Sequence, residues 1–486
     1  MKEEIRSKYQ AVIGLEVHAQ MLTKTKAYSS DVNEFGAIPN SNVSVITLGH
    51  PGTLPKMNVK TIEFAIRMGL ALESEITEVQ NFDRKNYFYP DLPKGYQITQ
   101  DQTPICTGGK VYIKDDNGNE KAIKITRIHM EEDAGKSIHD VDVHDTLVDL
   151  NRAGIPLIEI VSEPDIRSSQ EAYNFVTEIR KIVRYLEICD GNMEESSLRC
   201  DANISVMLNN AKEFGRRVEV KNMNSIKNVQ HAIEFEIERQ IELIEKNVIV
   251  AQETRSFDAL KGITISMRSK EAANDYRFFP EPDLLPIKIK QEQIDTIKSE
   301  MPALPRELFL KYTNEFGLSE YDAYNITDNK ALALFYESII SHTKNYKSAA
   351  NWLMGDIKSY LNTNGFEVRE FPISAETVAE LIAIIDTGKI SSTVASQKVF
   401  PALLENPNQA PLEIAKGLNL IQESNEDSIL EYVNEVITQN PDEVERFKNG
   451  EKRLTGFFMG KLMQISKGKA DPKAANRLMT ETLNKL

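Results

Sequence analysis

Cysteine is scarce: three in 486 residues, at 106, 189 and 200. An odd number, so widely spaced, is not the framework of a secreted, disulfide-stapled fold. No run approaches 18 apolar residues, which excludes a membrane-spanning helix. The opening Met-Lys-Glu-Glu-Ile-Arg has no apolar stretch of the signal-peptide kind, so a cytoplasmic location is expected. Positive charge is in deficit, with 58 Lys and Arg against 73 Asp and Glu and a net charge of −15. That excludes a wholly basic nucleic-acid binder, although a local basic segment survives such an average. Common catalytic signatures are missing too: no G-x-G-x-x-G, no H-E-x-x-H and no G-x-S-x-G. Gly135-Lys136-Ser137 ends like a phosphate-binding P-loop, but Met130 stands where its first glycine belongs. If ATP binds, it binds on a sheet surface.

What is present is ordinary globular usage, 41% apolar and 27% charged. At roughly 150 residues per domain the length suits about three domains. The first 290 or so residues are rich in strands and turns. Lys110–Lys114 alternates, Asp116-Asn-Gly makes a hairpin turn, and 122–126 alternates back. Two helices interrupt. One opens on a capping box, Ser168 to Glu171, with Phe175, Val176, Ile179 and Val183 at helical spacing. The other covers about 225–247, striped by Val229, Ile233, Ile237 and Ile241. This pattern predicts an α+β fold with an antiparallel sheet. A Pro-rich break, Phe279-Pro-Glu-Pro-Asp-Leu-Leu-Pro286, precedes a nearly all-helical remainder: 291–301, 304–315, 319–325, 329–343, 346–362 and 375–386. A weaker break lies near Asn406-Pro-Asn-Gln-Ala-Pro411. The division expected is 1–293, 294–408 and 409–486. The last 41 residues hold ten Lys or Arg against three acids, a charge of +7. That is either a solvated helix face or a phosphate-contacting footprint.

Three short runs carry candidate chemistry. In Gly14-Leu-Glu16-Val-His18, strand geometry projects Glu16 and His18 together, as half of a divalent-cation site or as a hydrogen-bonded pair. In Arg127-Ile-His129-Met-Glu131-Glu132-Asp133, crowded acids need a cation or a base to neutralise them. In Leu157-Ile-Glu159-Ile-Val, a carboxylate interrupts an apolar strand, where ionisation is costly unless paired. Together Glu16, His18, one of Glu131 or Glu132, and Glu159 suit Mg²⁺ better than Zn²⁺, because carboxylates dominate and no thiolate is at hand. Alternation leaves the choice open: His129, Glu131 and Asp133 share one face, Met130 and Glu132 the other. Asp83-Arg84-Lys85-Asn-Tyr-Phe-Tyr-Pro-Asp-Leu-Pro-Lys94-Gly-Tyr mixes cations with aromatic rings, which suits phosphate and base or ribose contacts or else forms a satellite aromatic cluster. Glu219 and Lys221 share a strand face and allow an ion pair.

Longer runs resemble one family. V-I-G-L-E-V-H, D-R-K-N-Y-F-Y-P-D-L-P-K-G-Y-Q, H-M-E-E-D-A-G-K, D-L-N-R-A-G-I-P-L-I-E-I-V-S-E-P-D-I-R-S, S-L-R-C-D-A-N-I-S-V and M-R-S-K-E-A-A-N-D-Y-R-F-F-P-E-P-D are similar to the GatB family of the aspartyl/glutamyl-tRNA(Asn/Gln) amidotransferases. Asn351-Trp-Leu-Met-Gly, Gly456-Phe-Phe-Met-Gly and Ser466-Lys-Gly-Lys-Ala-Asp-Pro extend the resemblance to the C-terminus. It implies a cradle domain, a helical domain and a helical YqeY-like tail. It also implies a heterotrimer with a glutaminase subunit, completed by a small third one. The GatB chain then uses ATP and Mg²⁺ to phosphorylate the side-chain carboxylate of Glu on tRNA(Gln), or Asp on tRNA(Asn), for displacement by ammonia. The implied catalytic cation ligands are Glu16, His18, Glu132 and Glu159. Arg84, Lys85, Lys94, Arg199 and Lys221 are nucleotide-binding candidates, and Lys467, Lys469 and Arg477 are tRNA-binding candidates. Many members carry four zinc-binding cysteines where this chain has Ser29, Asp31, Ser44 and Thr47, so no zinc is expected here. A tRNA-binding adaptor without catalysis is the alternative. A ligase acting on small metabolites is a third reading, but it leaves the basic tail unexplained.

Overall fold

The computed structural model describes residues 3–139, 141–142, 144–267, 276–421, 426–466 and 470–485. The chain forms two compact units, 1–305 and 306–486.

The first unit is built on a ten-stranded sheet. In chain order its strands are β1 (Tyr9–Gln20), β2 (Glu75–Ile76), β3 (Cys106–Thr107), β4 (Lys110–Lys114), β5 (Glu120–Glu132), β6 (Pro156–Ser162), β7 (Leu198–Leu208), β8 (Val218–Met223), β9 (Thr254–Asp258) and β10 (Ile263–Ser266). They lie side by side as β10-β9-β8-β7-β1-β6-β5-β3-β2, with β4 folded back on β5 in the expected hairpin. All pairs are antiparallel except β8 with β9. The long central strand β1 alternates cleanly: Leu15, Val17 and Ala19 are fully buried, while Glu16, His18 and Gln20 face the other way. Period two therefore divides the sheet into a core face and a polar face.

Helices cover the core face. They are α1 (Val59–Ala71), α2 (Ser169–Tyr185), α3 (Ile226–Glu245) and α4 (Gln291–Ser299). Phe175, Val176, Ile179 and Val183 of α2, with Val229, Ile233, Ile237 and Ile241 of α3, are fully buried in one core with Leu15, Val17, Ile158 and Ile160. Both helices start where side chains satisfy their free amides. Ser168 Oγ accepts from Glu171 N (3.0 Å), and Ser225 Oγ accepts from Asn228 N (3.1 Å). The Glu171 carboxylate reaches back to the amide of Arg167 (2.8 Å) rather than that of Ser168. Ile294 and Ile297 of α4, followed by Met301 and Leu304, pack against the same core, which carries the first unit past residue 293 to Pro305.

The second unit is helical throughout its described residues. Its last four long helices, Glu426–Gln439, Pro441–Lys448, Thr455–Ile465 and Pro472–Lys485, have a core of their own made by Val433, Val436, Phe447, Phe458, Leu462 and Met479. No helix among the described residues is long and apolar enough to cross a membrane.

Candidate active site

The polar face of the sheet gathers the candidate chemistry by register. His18 of β1 lies opposite Glu159 of β6, and Glu159 lies opposite His129 of β5. On the other side of β1, His18 is opposite Arg199 and Glu16 is opposite Asp201, both of β7. Four neighbouring strands thus set His129, Glu159, His18 and Arg199 in one row across the sheet. Antiparallel pairing brings such directly opposed side chains within about 5 Å at Cβ.

Two clusters result. In the first, Glu159 Oε2 is 3.3 Å from His18 Nε2 and 3.3 Å from His129 Nε2, and Glu131 Oε1 is 3.9 Å from His18 Nε2. His18, Glu131 and Glu159 offer ligand atoms that all lie within 4.8 Å of one another. Glu16, Asp201 and Glu219 form a second group of the same tightness. There Lys221 Nζ bonds Asp201 (2.6 Å) and Glu219 (2.9 Å), the second being the ion pair read from the sequence. Asn203 Nδ2 donates to Glu16 Oε1 (2.8 Å).

The electrostatics follow from crowding. Burial raises the Glu16 carboxyl above its ordinary range, and Glu159 adds to that. Burial alone would also raise Glu159, but His129 and His18 outweigh it and hold this carboxyl well below the usual range. Burial works against the His18 cation, yet Glu159 and Glu131 push its pKa up to about 9. Hard oxygen donors with one imidazole form a donor set suited to a divalent cation of the Mg²⁺ class.

Two cavities open beside the clusters. One, of about 540 Å³, is lined among others by His18, Lys85, Glu131, Arg152, Arg199 and Lys221. Arg199 is held by Asp133 (3.1 Å), which also accepts from Gln20 Nε2 (2.8 Å). The other, of about 370 Å³, is lined among others by Glu16, Lys85, Arg127, His129, Glu159 and Tyr276. His18, Lys85, Asp201 and Lys221 belong to both walls.

One expected ligand is not brought here. Glu132 faces the opposite side of the sheet, where its carboxylate pairs with Lys94 and accepts from the amide of Ile98 (3.0 Å). Glu131 takes the place in the cluster instead. The cause is alternation: Ile128 and Met130 enter the core, so Glu132 shares their face while Glu131 sides with His129. A bulge lies upstream, where Ser162 pairs Ile125 but Val161 pairs Arg127. The extra residue flips the phase of the strand. Ile123 and Ile125 before it, and Ile128 and Met130 after it, all reach the core, leaving Arg127, His129 and Glu131 on the polar face.

Lys85, Arg199 and Lys221 therefore line the cavities beside the clusters, whereas Arg84 and Lys94 do not. Arg84 clasps Glu281 (2.7 and 3.0 Å) and stacks over Tyr96 (4.2 Å), and with Lys94 it lines a separate cavity of about 160 Å³. In the early loop, Asp31 Oδ2 accepts from Thr47 Oγ1 (2.5 Å) and Ser44 N (2.9 Å), and Ser29 Oγ lies 3.3 Å from Thr47 Oγ1. The four positions expected to lack zinc still converge, through hydrogen bonds. In the tail, Arg477 is paired with Glu426 and lies 3.6 Å from Glu481, and Lys467 and Lys469 fall outside the described residues. Sequence reasoning did not single out Asp201 or Glu219 as ligands, or Arg127 as a pocket residue. Their runs were visible, but only the register of β1, β7 and β8 joins Asp201 and Glu219 to Glu16, and only that of β5, β6 and β1 brings Arg127 near it.

Comparison with known proteins points the same way. The family model described as the GatB/GatE catalytic domain matches residues 11–295, and a second, described as a GatB domain, matches 334–483. The chain belongs to the GatB family. Proteins named as the GatB component of aspartyl/glutamyl-tRNA(Asn/Gln) amidotransferase are similar along nearly their whole length. That of Trichodesmium erythraeum is 46% identical over 488 residues, covering 99% of this chain and 98% of its own. That of Clostridium botulinum is 46% identical over 478 residues, 98% of this chain and 100% of its own. That of Thermodesulfovibrio yellowstonii is 46% identical over 475 residues, 98% and 99%. The family is one component of a ligase-type amidotransferase, and its catalytic-domain model spans every strand of the ten-stranded sheet from Ala11 onward.

Proposed function

We propose that this chain activates and amidates the side-chain carboxylate of a misacylated tRNA, Glu on tRNA(Gln) or Asp on tRNA(Asn). The observation that carries this reading is the pair of acid clusters on one sheet face, set where two cavities meet. A carboxylate cannot be displaced by ammonia directly, because oxide is a poor leaving group. In the reaction proposed, a carboxylate oxygen attacks the γ-phosphorus of ATP and ADP departs. Ammonia, released from glutamine on a partner glutaminase, then attacks the acyl carbon. The carbon–oxygen bond breaks, inorganic phosphate leaves, and the surplus proton passes to solvent. No protein nucleophile is required, in keeping with the missing nucleophile motifs.

His18, Glu131 and Glu159, with Glu16, Asp201 and Glu219, would hold Mg²⁺. When bound, Mg²⁺ offsets negative charge on the transferring phosphoryl group. Arg199, fixed by Asp133, and Lys85 and Lys221 orient anionic groups in the two cavities. A small third protein makes up the heterotrimer, which works in the cytoplasm. The Asp31 hydrogen bonds hold the early loop in place of zinc. The helical part expected from 294 to 408, which follows the first unit from residue 306, links the chemistry to a tail, 409–486, that grips tRNA.

Three variants of the assembled enzyme test this. Glu131→Gln and Glu159→Gln should each abolish ATP-dependent amide formation and weaken Mn²⁺ binding by about tenfold or more, with glutaminase activity intact. Glu132→Gln should leave Mn²⁺ affinity within about twofold, because it lies outside the clusters. It should instead lower unfolding free energy by about 3 kcal/mol, since Lys94 is left buried without its partner. Normal transamidation by Glu159→Gln would favour a non-catalytic tRNA adaptor.

A further inference from the structure

An arginine in the wall of the 370 Å³ cavity carries an unmet donor. Arg127 Nε and His129 Nδ1 are buried without a hydrogen-bond partner, and both residues line this wall. Leaving part of a guanidinium desolvated and unbonded is costly, and native chains seldom do so without reason. The other arginines of the site are satisfied. Arg199 has Asp133, and Arg152 has the carbonyls of Ala134 and Gly135 (3.0 and 2.6 Å). Five carboxylates line the same cavity as Arg127: Glu16, Asp101, Glu159, Asp201 and Glu219. Among the described residues, none of them forms an ion pair with it, although Lys221 takes two of them.

Register explains the placement. Arg127 lies on the polar face of β5, two residues before His129 and opposite Val161, which is itself opposite Glu16. The guanidinium is therefore one strand removed from the second acid cluster. Lys85 is also in this wall, held over the Tyr276 ring at 4.9 Å. Tyr276 and Phe278 form an edge-to-face pair in the same wall, with centroids 5.9 Å apart. A planar five-donor fork suits the paired oxygens of a phosphate, and aromatic rings suit a base.

We propose that Arg127 is the phosphate anchor of the nucleotide, and that the 370 Å³ cavity binds a nucleoside triphosphate only as its divalent-cation complex. The proposal rests on the ATP-dependent reading above and adds a residue and a condition to it. The condition follows from charge. Five carboxylates line this wall, and four of them, Glu16, Glu159, Asp201 and Glu219, sit in the two acid clusters where a phosphate would lie. A bare polyphosphate is repelled by these clustered acids, whereas a cation bound between the acids and the phosphates removes the repulsion. The larger cavity, with Arg199 and Arg152 fixed on Asp133, is left for the aminoacyl end.

The test uses the assembled amidotransferase and isothermal titration with ATP, with Mn²⁺ and with both. The wild type should bind Mn²⁺-ATP and bind ATP in chelator at least tenfold more weakly. Arg127→Gln should lose Mn²⁺-ATP affinity by tenfold or more and raise the KM for ATP alike. Its affinity for Mn²⁺ alone and its KM for aminoacyl-tRNA should stay within twofold, which also shows that the sheet has folded. Arg127→Lys should recover part of the loss. Unchanged Mn²⁺-ATP affinity in Arg127→Gln, with a wild type that binds it, overturns the anchor alone. Equal binding of ATP with and without cation overturns the condition. A wild type that binds no nucleotide overturns the ATP-dependent reading itself, and the anchor with it.

Discussion

His18 is pressed between two carboxylates, and this decides what a cation must displace. Burial alone would favour the neutral ring, but Glu159 and Glu131 raise its pKa to about 9. Without a metal ion the ring is an imidazolium at neutral pH. A metal ion binds the neutral imidazole, so its arrival must expel the proton. The sign is therefore fixed: affinity rises with pH up to about 9 and levels off above it. Mn²⁺ binding followed by electron paramagnetic resonance should tighten about tenfold per pH unit between about 7 and 8.5, one proton leaving per ion. His18→Gln should flatten that slope. An affinity indifferent to pH in the wild type would remove His18 from the ligand set.

At the scale of elements, the seating of α1 on the sheet depends on a missing side chain. A Cβ on Gly69 would lie 2.4 Å from Cys106 Sγ and 2.8 Å from Ile76 Cδ1. Alanine is favoured over glycine in a helix by about 1 kcal/mol, yet here it overpacks a core at a typical cost of about 1–3 kcal/mol. Gly69→Ala should therefore lower stability in urea unfolding, and adding Cys106→Ala should recover part of the loss. A Gly69→Ala variant as stable as the wild type would show that α1 can shift freely. The same contrast between local and long-range order decides what could be read beforehand. The helices at 169–185, 226–245, 305–314 and 375–386 match their expected spans because apolar spacing, with Ser caps on all but the third, acts within a few residues. The α+β class followed from them. The cation cluster is different. Glu16, His18 and Glu159 were legible as carboxylates and imidazole on apolar strands. Alternation already grouped Glu131 with His129, but choosing that face over Glu132's required the pairing of β5 with β6, which sets Glu159 opposite His129. Asp201 and Glu219 required the pairing of β1 with β7 and of β7 with β8, the first of which joins positions nearly 200 residues apart.

For the whole molecule, charge is divided. Residues 446–486 carry +7 within a chain of −15. On the reading proposed above, a polyanion the size of tRNA would be repelled by the chain's net charge and drawn to its last 41 residues. The attraction is not uniform along the tail. Arg477 already has Glu426 and Glu481 as neighbours, so a phosphate gains from it only by displacing carboxylates. Lys467 and Lys469 flank Gly468 in a short polar run, where backbone can come close to a phosphate. Replacing both lysines by Gln should weaken tRNA binding alike for all tRNA sequences, and it should flatten the dependence of log K on log salt by about 0.7–0.9 per lost contact. Arg477→Gln should change that slope by less than half of what the lysine pair does. Fluorescence anisotropy of labelled tRNA between about 50 and 200 mM salt reads both. A slope untouched by the lysine pair would mean that the tail's excess charge is a solvated helix face. The orienting field would then have to come from the site itself, where Arg127 and Lys85 are too deeply set among carboxylates to supply it.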